Sequence, residues 1–209
     1  MAEQGGGRLV QVDANGDYVS TIASGLSTAT GLAISNGFAY VSNVDNAIYK
    51  IDLTTHTVST LVPGVAVDGI TLSPDGTVIY GEAGFHIYGW NTTTGASTGY
   101  DSGSIYGADG AAAAVGALAG DIFVNTNYGE LWEIDSLGHQ TLIADGGSRG
   151  DLVTIDPTNG SLLLSQTDSI LRLTLPSGSS FSDDVPEPAS IAVLSVGLLG
   201  LGGLRRRRR

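Results

Sequence analysis

Oxygen-bearing side chains recur through the first 170 residues: Asn43 and Asp45, Asp68 and Glu82, Asp109 with Asn125 and Asn127, then Asp151 and Asp168. Carboxylates and amides are the hard ligands that Ca²⁺ takes, so a set of them gathered in one place would hold a divalent ion. The same set also fits a solvated acidic rim, the ordinary fate of clustered charge. Other chemistry is poorly provided for. His56, His86 and His139 fall at non-equivalent places, two in turns and one in a strand, and form no evident base or ligand cluster. There is no phosphate loop, and cysteine is absent. Asp13-Ala-Asn-Gly-Asp17 opens like a calcium loop but lacks the downstream bidentate glutamate, and a hairpin turn explains it better. No catalytic residue is assigned.

The elements that would carry these groups to one place are visible as a repeat. Alternating apolar segments run into an acid, an amide or a threonine and then a turn: Leu9-Val-Gln-Val-Asp13, Ile48-Tyr-Lys-Ile-Asp52, Ile87-Tyr-Gly-Trp-Asn91, Leu131-Trp-Glu-Ile-Asp135 and Ile170-Leu-Arg-Leu-Thr174. Their first residues are 39, 39, 44 and 39 positions apart. Each reads as a strand closed by a side chain that bonds the turn backbone, with a second strand after it. A further strand pair precedes each complete hairpin, as in Gly69-Ile-Thr-Leu72 with Val78-Ile-Tyr80, or Ala111 to Val115 with Asp121-Ile-Phe-Val124. Ser73-Pro-Asp-Gly76 between two of these is a turn by composition, since proline presets φ and glycine accepts positive φ. Four strands per roughly forty residues is the blade of a β-propeller, whose faces are buried only by stacking on neighbours. A β-sandwich or β-solenoid is the competing all-β arrangement. In a propeller, the loops between blades and those between second and third strands share one face, which would collect the oxygen ligands named above around a channel mouth.

The expected fold is therefore all-β, a propeller of four-stranded blades with about four to five present, plus one C-terminal transmembrane helix. Blades are expected near 30–64, 68–103, 109–147 and 150–176, with a partial blade at 2–25. The last of these has three strands and the first only two, so the ring does not close by count. Residues 1–8 have neither a basic start nor an apolar run, as a secretory signal would require. The expectation is that Met1 is an internal start of a longer reading frame. Trp90 and Trp132, in the third-strand region of adjacent blades, fit blade-to-blade packing, with a sugar-stacking platform as the sharper alternative.

The unit Tyr40-Val-Ser-Asn43 followed by Ile48-Tyr-Lys-Ile-Asp-Leu-Thr-Thr55 resembles the NHL, YVTN and gluconolactonase-like group of propellers, over residues 2 to about 178. No Trp-Asp dipeptide closes any blade. Gluconolactonase-like propellers place Glu, Asn and Asp around one divalent ion, and by loop position the resemblance points to Glu82, Asn125 and Asp168, with Ca²⁺ or another divalent ion as the cofactor.

Charge narrows the partners. The chain of 209 residues has a formal charge of −12, but five of its nine basic residues are Arg205 to Arg209. Residues 1–204 carry four basic residues against 21 acids, a balance of −17 that repels nucleic acid phosphates and attracts cations. Nucleic acid is excluded as a partner.

The tail has its own grammar. Pro186 and Pro188 fix φ and withhold two backbone donors, which keeps Glu187 in an extended segment available to a processing enzyme. From Ala189 to Leu204 there is no charge. As a helix this stretch would reach roughly 24 Å against a hydrocarbon core of about 30 Å. Arg205, Arg206, Arg207, Arg208 and Arg209 follow it, can snorkel to the headgroups, and favour a cytoplasmic end. In this order, motif, apolar helix and arginines resemble the PEP-CTERM sorting signal, with 179–188 as linker and Pro186, Glu187 and Pro188 as the sorting motif. The resemblance implies an exported protein of a Gram-negative bacterium, anchored at first in the inner membrane. It also implies processing by an exosortase-type membrane protease, and an association with exopolysaccharide or another matrix component. The expected function is that of a cell-envelope or extracellular-matrix protein whose propeller is a binding or structural module. The alternative is a divalent-metal-dependent lactonase-type hydrolase.

Overall fold

The computed structural model describes residues 1–115, 118–156, 158–175 and 181. The Pro-Glu-Pro motif, the expected helix at 189–204 and the arginine tail lie outside the described residues. Among the described residues no helix is long and apolar enough to cross a membrane.

Among the described residues, eighteen strands form five antiparallel sheets that follow one another along the chain. The first sheet holds β1 (Ala2–Glu3), β2 (Arg8–Val12) and β3 (Tyr18–Ser24). The second holds β4 (Ala29–Ser35), β5 (Phe38–Asn43), β6 (Ala47–Asp52) and β7 (Val58–Pro63), and the third β8 (Ile70–Leu72), β9 (Val78–Ala83), β10 (His86–Asn91) and β11 (Ser97–Asp101). In the fourth are β12 (Ala108–Ala113), β13 (Ile122–Thr126), β14 (Leu131–Ile134) and β15 (Gln140–Ala144), and in the fifth β16 (Val153–Ile155), β17 (Leu162–Ser165) and β18 (Ile170–Leu173). Every sheet is a meander in chain order, and β4, β8, β12 and β16 lie side by side. This is a five-bladed β-propeller. β1 is too short to show an alternating pattern, and the expected strand at Ala111–Val115 begins three residues earlier, at Ala108.

The repeated acid or amide closes its turn as a side-chain acceptor. Asp52 Oδ1 accepts the N–H groups of Thr54 and Thr55, Asn91 Oδ1 those of Thr93 and Thr94, and Asp135 Oδ1 those of Leu137 and His139. Asp13 does the same for Asn15 and Asp17, so the calcium-like segment is a turn held by its own carboxylate.

The core is divided among the gaps between sheets. Leu9, Leu26, Val41 and Ile51 fill the first gap; Tyr40, Ile48, Val62, Ile79 and Trp90 the second. Ile87, Ile105, Ile122, Val124 and Ile134 fill the third, and Phe123, Leu131, Val153, Leu162, Leu164 and Phe181 the fourth. Trp90 is thus a packing residue. Trp132 is part-buried, with its indole N–H donating to Glu130 at 2.9 Å. Ile48, Ile87 and Leu131 lie fully buried at or next to the start of their third strands, whereas Ile170 is 73% exposed, with no sheet among the described residues stacked on its face of β18.

Candidate functional site

The inner strands start at one end of the molecule, and there each sheet touches the next through its backbone. Ser42 on β5 accepts the Gly31 N–H at 2.7 Å and donates to the Asp68 carbonyl at 2.5 Å, which also accepts from Thr30 Oγ1 at 2.9 Å. By pairing with the third strand, Ser42, Glu82, Asn125 and Ser165 hold equivalent places, opposite Ile48, Ile87, Leu131 and Ile170. Asn125 uses that place as Ser42 does, donating its Nδ2 to the carbonyls of Leu152, just before β16, and of Ser165 on β17.

Glycine makes the approach possible. A Cβ on Gly31 would stand 2.9 Å from the Asp68 carbonyl oxygen, one on Gly69 3.0 Å from that of Asp109, and one on Gly110 closer still to that of Asp151. Each close approach brings the next sheet's aspartate to the axis. Asp68, Asp109 and Asp151 line one cavity of about 400 Å³ with Arg149 and with Gln4, which follows β1. Gly110→Ala is accordingly expected to cost about 1–3 kcal/mol by overpacking, seen as a lower Tm in calorimetry. Gly5→Ala, whose added methyl meets nothing within 4 Å, should leave Tm unchanged. Equal Tm values for the two variants would contradict this packing.

Arg149 is the mouth's cation. Its NH2 group lies 2.9 Å from Asp151 and 3.3 Å from Asp109, and its Nε donates to Asn127 Oδ1 at 2.5 Å. Burial still pushes the Asp109 carboxyl up, to about 6, with the Asp68 charge as the next cause. Glu82 is buried and accepts the Phe85 N–H at 3.2 Å; loss of water pushes its carboxyl up to about 7, and Asp68 and Asp109 push it the same way.

A carboxyl whose folded pKa is raised binds more protons folded than unfolded, so its contribution to stability is complete below the unfolded pKa and is lost as pH rises through the folded value. Glu82 and Asp109 therefore make the protein less stable as pH rises from about 4 to about 7, by on the order of 1–2 kcal/mol after screening in the partly wet mouth. Glu82→Gln keeps the shape, removes the charge and adds a donor of the kind Asn125 supplies. Its Tm should exceed the wild-type value at pH 7 and above and converge on it near pH 4; parallel Tm curves across that range would contradict the assignment.

The residues expected to surround an ion occupy different settings. Glu82 is buried at the mouth, Asn125 is buried beneath Gly150 with its Oδ1 left without a partner, and Asp168 is exposed in the β17–β18 loop. Among the described residues no three of His, Asp or Glu stand together as ligands for one ion. Asn43 is spent on its own loop, donating to the Leu26 carbonyl and accepting from the Asp45 N–H, while Asp45 accepts from Ser27 Oγ. Asp68, Asp109 and Asp151 are the acids brought together. Arg149 was not anticipated from sequence, although its rarity in an acidic chain, two residues from Asp151, is a usable signal.

Residues 184–209 match the family model of the PEP-CTERM protein-sorting motif. This is the signal of an exported, exosortase-processed protein. No curated protein sequence matches the chain. Among solved structures, it is similar to a chain of Kuenenia stuttgartiensis hydrazine synthase, with 16% identity and a TM-score of 0.60 over 85% of this chain and 63% of that one. A chain of a nidogen/laminin complex gives 14% identity and a TM-score of 0.62, covering 77% of this chain and 67% of the other. A Bacteroides thetaiotaomicron protein of unknown function gives 15% and 0.58, covering 70% and 41%. The chain thus spans less than two thirds of the first and third of these. At such identities the likeness shows the fold alone.

Proposed function

We propose that the chain is a cell-envelope or extracellular protein whose propeller works as a binding module, presented outward by its C-terminal signal. The match of residues 184–209 to the sorting motif carries this reading. Pro186, Glu187 and Pro188 form the element offered to the exosortase, residues 189–204 a transmembrane helix, and Arg205 to Arg209 its cytoplasmic stop. In that arrangement the body faces away from the cytoplasm before processing, in the envelope of a Gram-negative cell. A matrix polysaccharide is one partner this reading admits. The test is protease treatment of intact exosortase-bearing cells: digestion of the propeller supports the reading, and full protection in cells whose outer membrane has been opened refutes it.

A divalent-metal hydrolase is the second reading, and the unpartnered Oδ1 of Asn125 favours it. Glu82, Asn125 and Asp168 would be its ligands. Addition of Ca²⁺ or Zn²⁺ to the full chain should then raise Tm by several degrees, and an unchanged Tm removes it.

A further inference from the structure

We propose that the mouth face docks a basic, extended peptide segment of a partner protein, whose cationic side chains lie over an exposed aromatic row and reach the carboxylates beside it. The proposal rests on the binding-module reading and names its ligand class. The row consists of Phe85 in the β9–β10 turn, Tyr106 in the β11–β12 loop and Tyr128 in the β13–β14 loop, which are 44%, 63% and 56% exposed. Phe85 and Tyr106 have ring centroids 4.9 Å apart, and Tyr106 and Tyr128 stack at 5.0 Å. Scattered exposed apolar residues are normal, but three aromatic rings in mutual contact, drawn from three separate loops, form a patch.

The backbone holds the row in place at some expense. Phe85 has φ +79°, in a two-residue turn after Gly84, where glycine or asparagine is the usual occupant. Its conformation is fixed from both sides: its N–H donates to Glu82 Oε1 at 3.2 Å and its carbonyl accepts the Ile105 N–H at 2.7 Å. A bulky side chain kept at positive φ, with its ring in water, is the kind of local strain that accumulates where a surface is used.

Row and mouth are continuous. Phe85 is tied to Glu82, and Asn127, next to Tyr128, is tied to Arg149, which pairs with Asp109 and Asp151. Three acids, Asp68, Asp109 and Asp151, line the cavity against one arginine, and an acidic cleft of this kind concentrates cations. Aromatic faces attract the same charge. A neutral glycan would stack on the rings and could donate hydroxyls to the carboxylates, but it would leave their charge uncompensated, while a polyanion would be repelled. The row, roughly 10 Å long, matches about three residues of extended chain.

The test is calorimetric titration of the full chain with hexa-arginine at 150 mM NaCl, with chitohexaose as the neutral probe. Tyr106→Ala/Tyr128→Ala conserves charge and should weaken hexa-arginine binding at least tenfold. Phe85→Gly should weaken it severalfold, and because glycine takes positive φ freely this variant is expected to stay folded. Asp151→Asn should weaken binding and flatten its salt dependence. Equal affinity of wild type and the aromatic variants, or no binding to wild type, overturns the proposal. So does tyrosine-dependent binding of chitohexaose alone. None of these failures would touch surface delivery, which the protease experiment reads separately.

Discussion

Replacing Phe123 by alanine is expected to destabilise the propeller by about 3–5 kcal/mol, the range for a large aromatic side chain removed from a packed interior. Phe123 is fully buried in β13, in the gap between the fourth and fifth sheets. Its ring meets that of Phe181 edge to face at 5.0 Å, among Leu131, Val153, Leu162 and Leu164. Phe181 is pinned there in turn, its N–H donating to the Gly160 carbonyl at 2.8 Å. A cavity at this point cannot collapse easily, because β13 is hydrogen-bonded on both sides, to β12 and β14. At about 2–4 °C per kcal/mol for a chain of this size, Tm should fall by at least about 6 °C. A fall under about 2 °C would mean that the fourth and fifth sheets do not share a core. The loss should also be local at first, with hydrogen exchange accelerating in β16 to β18 before it does in β4 to β7, since each gap between sheets is a separate core.

The second large effect is on processing. Pro186→Ala, Glu187→Ala and Pro188→Ala together should abolish maturation, because alanine restores the backbone donors and removes the fixed φ that keep this segment out of a helix. Under the proposed reading, the helix at 189–204 would then be free to extend upstream and leave no extended peptide for the exosortase. The variant should accumulate at full length in the membrane fraction, while its propeller keeps the wild-type Tm. Wild-type mobility and release of the triple variant would show that the three residues do not form the sorting element.

The repeat was legible because a propeller writes its strands in period-two alternation and its turns in acids, amides and glycines. Leu9, Ile48, Ile87 and Leu131 mark third strands at a nearly fixed spacing because each fills a gap between stacked sheets. β1 was missed because two residues beside Gly5-Gly6-Gly7 carry no periodicity, and β12 was placed late because an alanine run has no alternation to read. β12 starts at Ala108 through its pairing with Thr126 of β13, across a register shift before Gly110 that no local pattern encodes. The same limit applies to the site. Asp68, Asp109 and Asp151 were legible as one acid per blade on the mouth face. The pairing of Arg149 with two of them, and the burial that raises Glu82 to about 7, arise from packing between sheets. The aromatic row left one trace in sequence: Tyr106-Gly107 and Asn127-Tyr128-Gly129 put tyrosines in turns whose glycines take φ +75°.

The delivery of this propeller by its tail is tested most directly by the mass of the mature C-terminus, measured on protein recovered from exosortase-bearing cells. The expected result is a chain that ends within the sorting segment and lacks Arg205 to Arg209. An intact C-terminus carrying all five arginines, on protein released from the membrane, would contradict it.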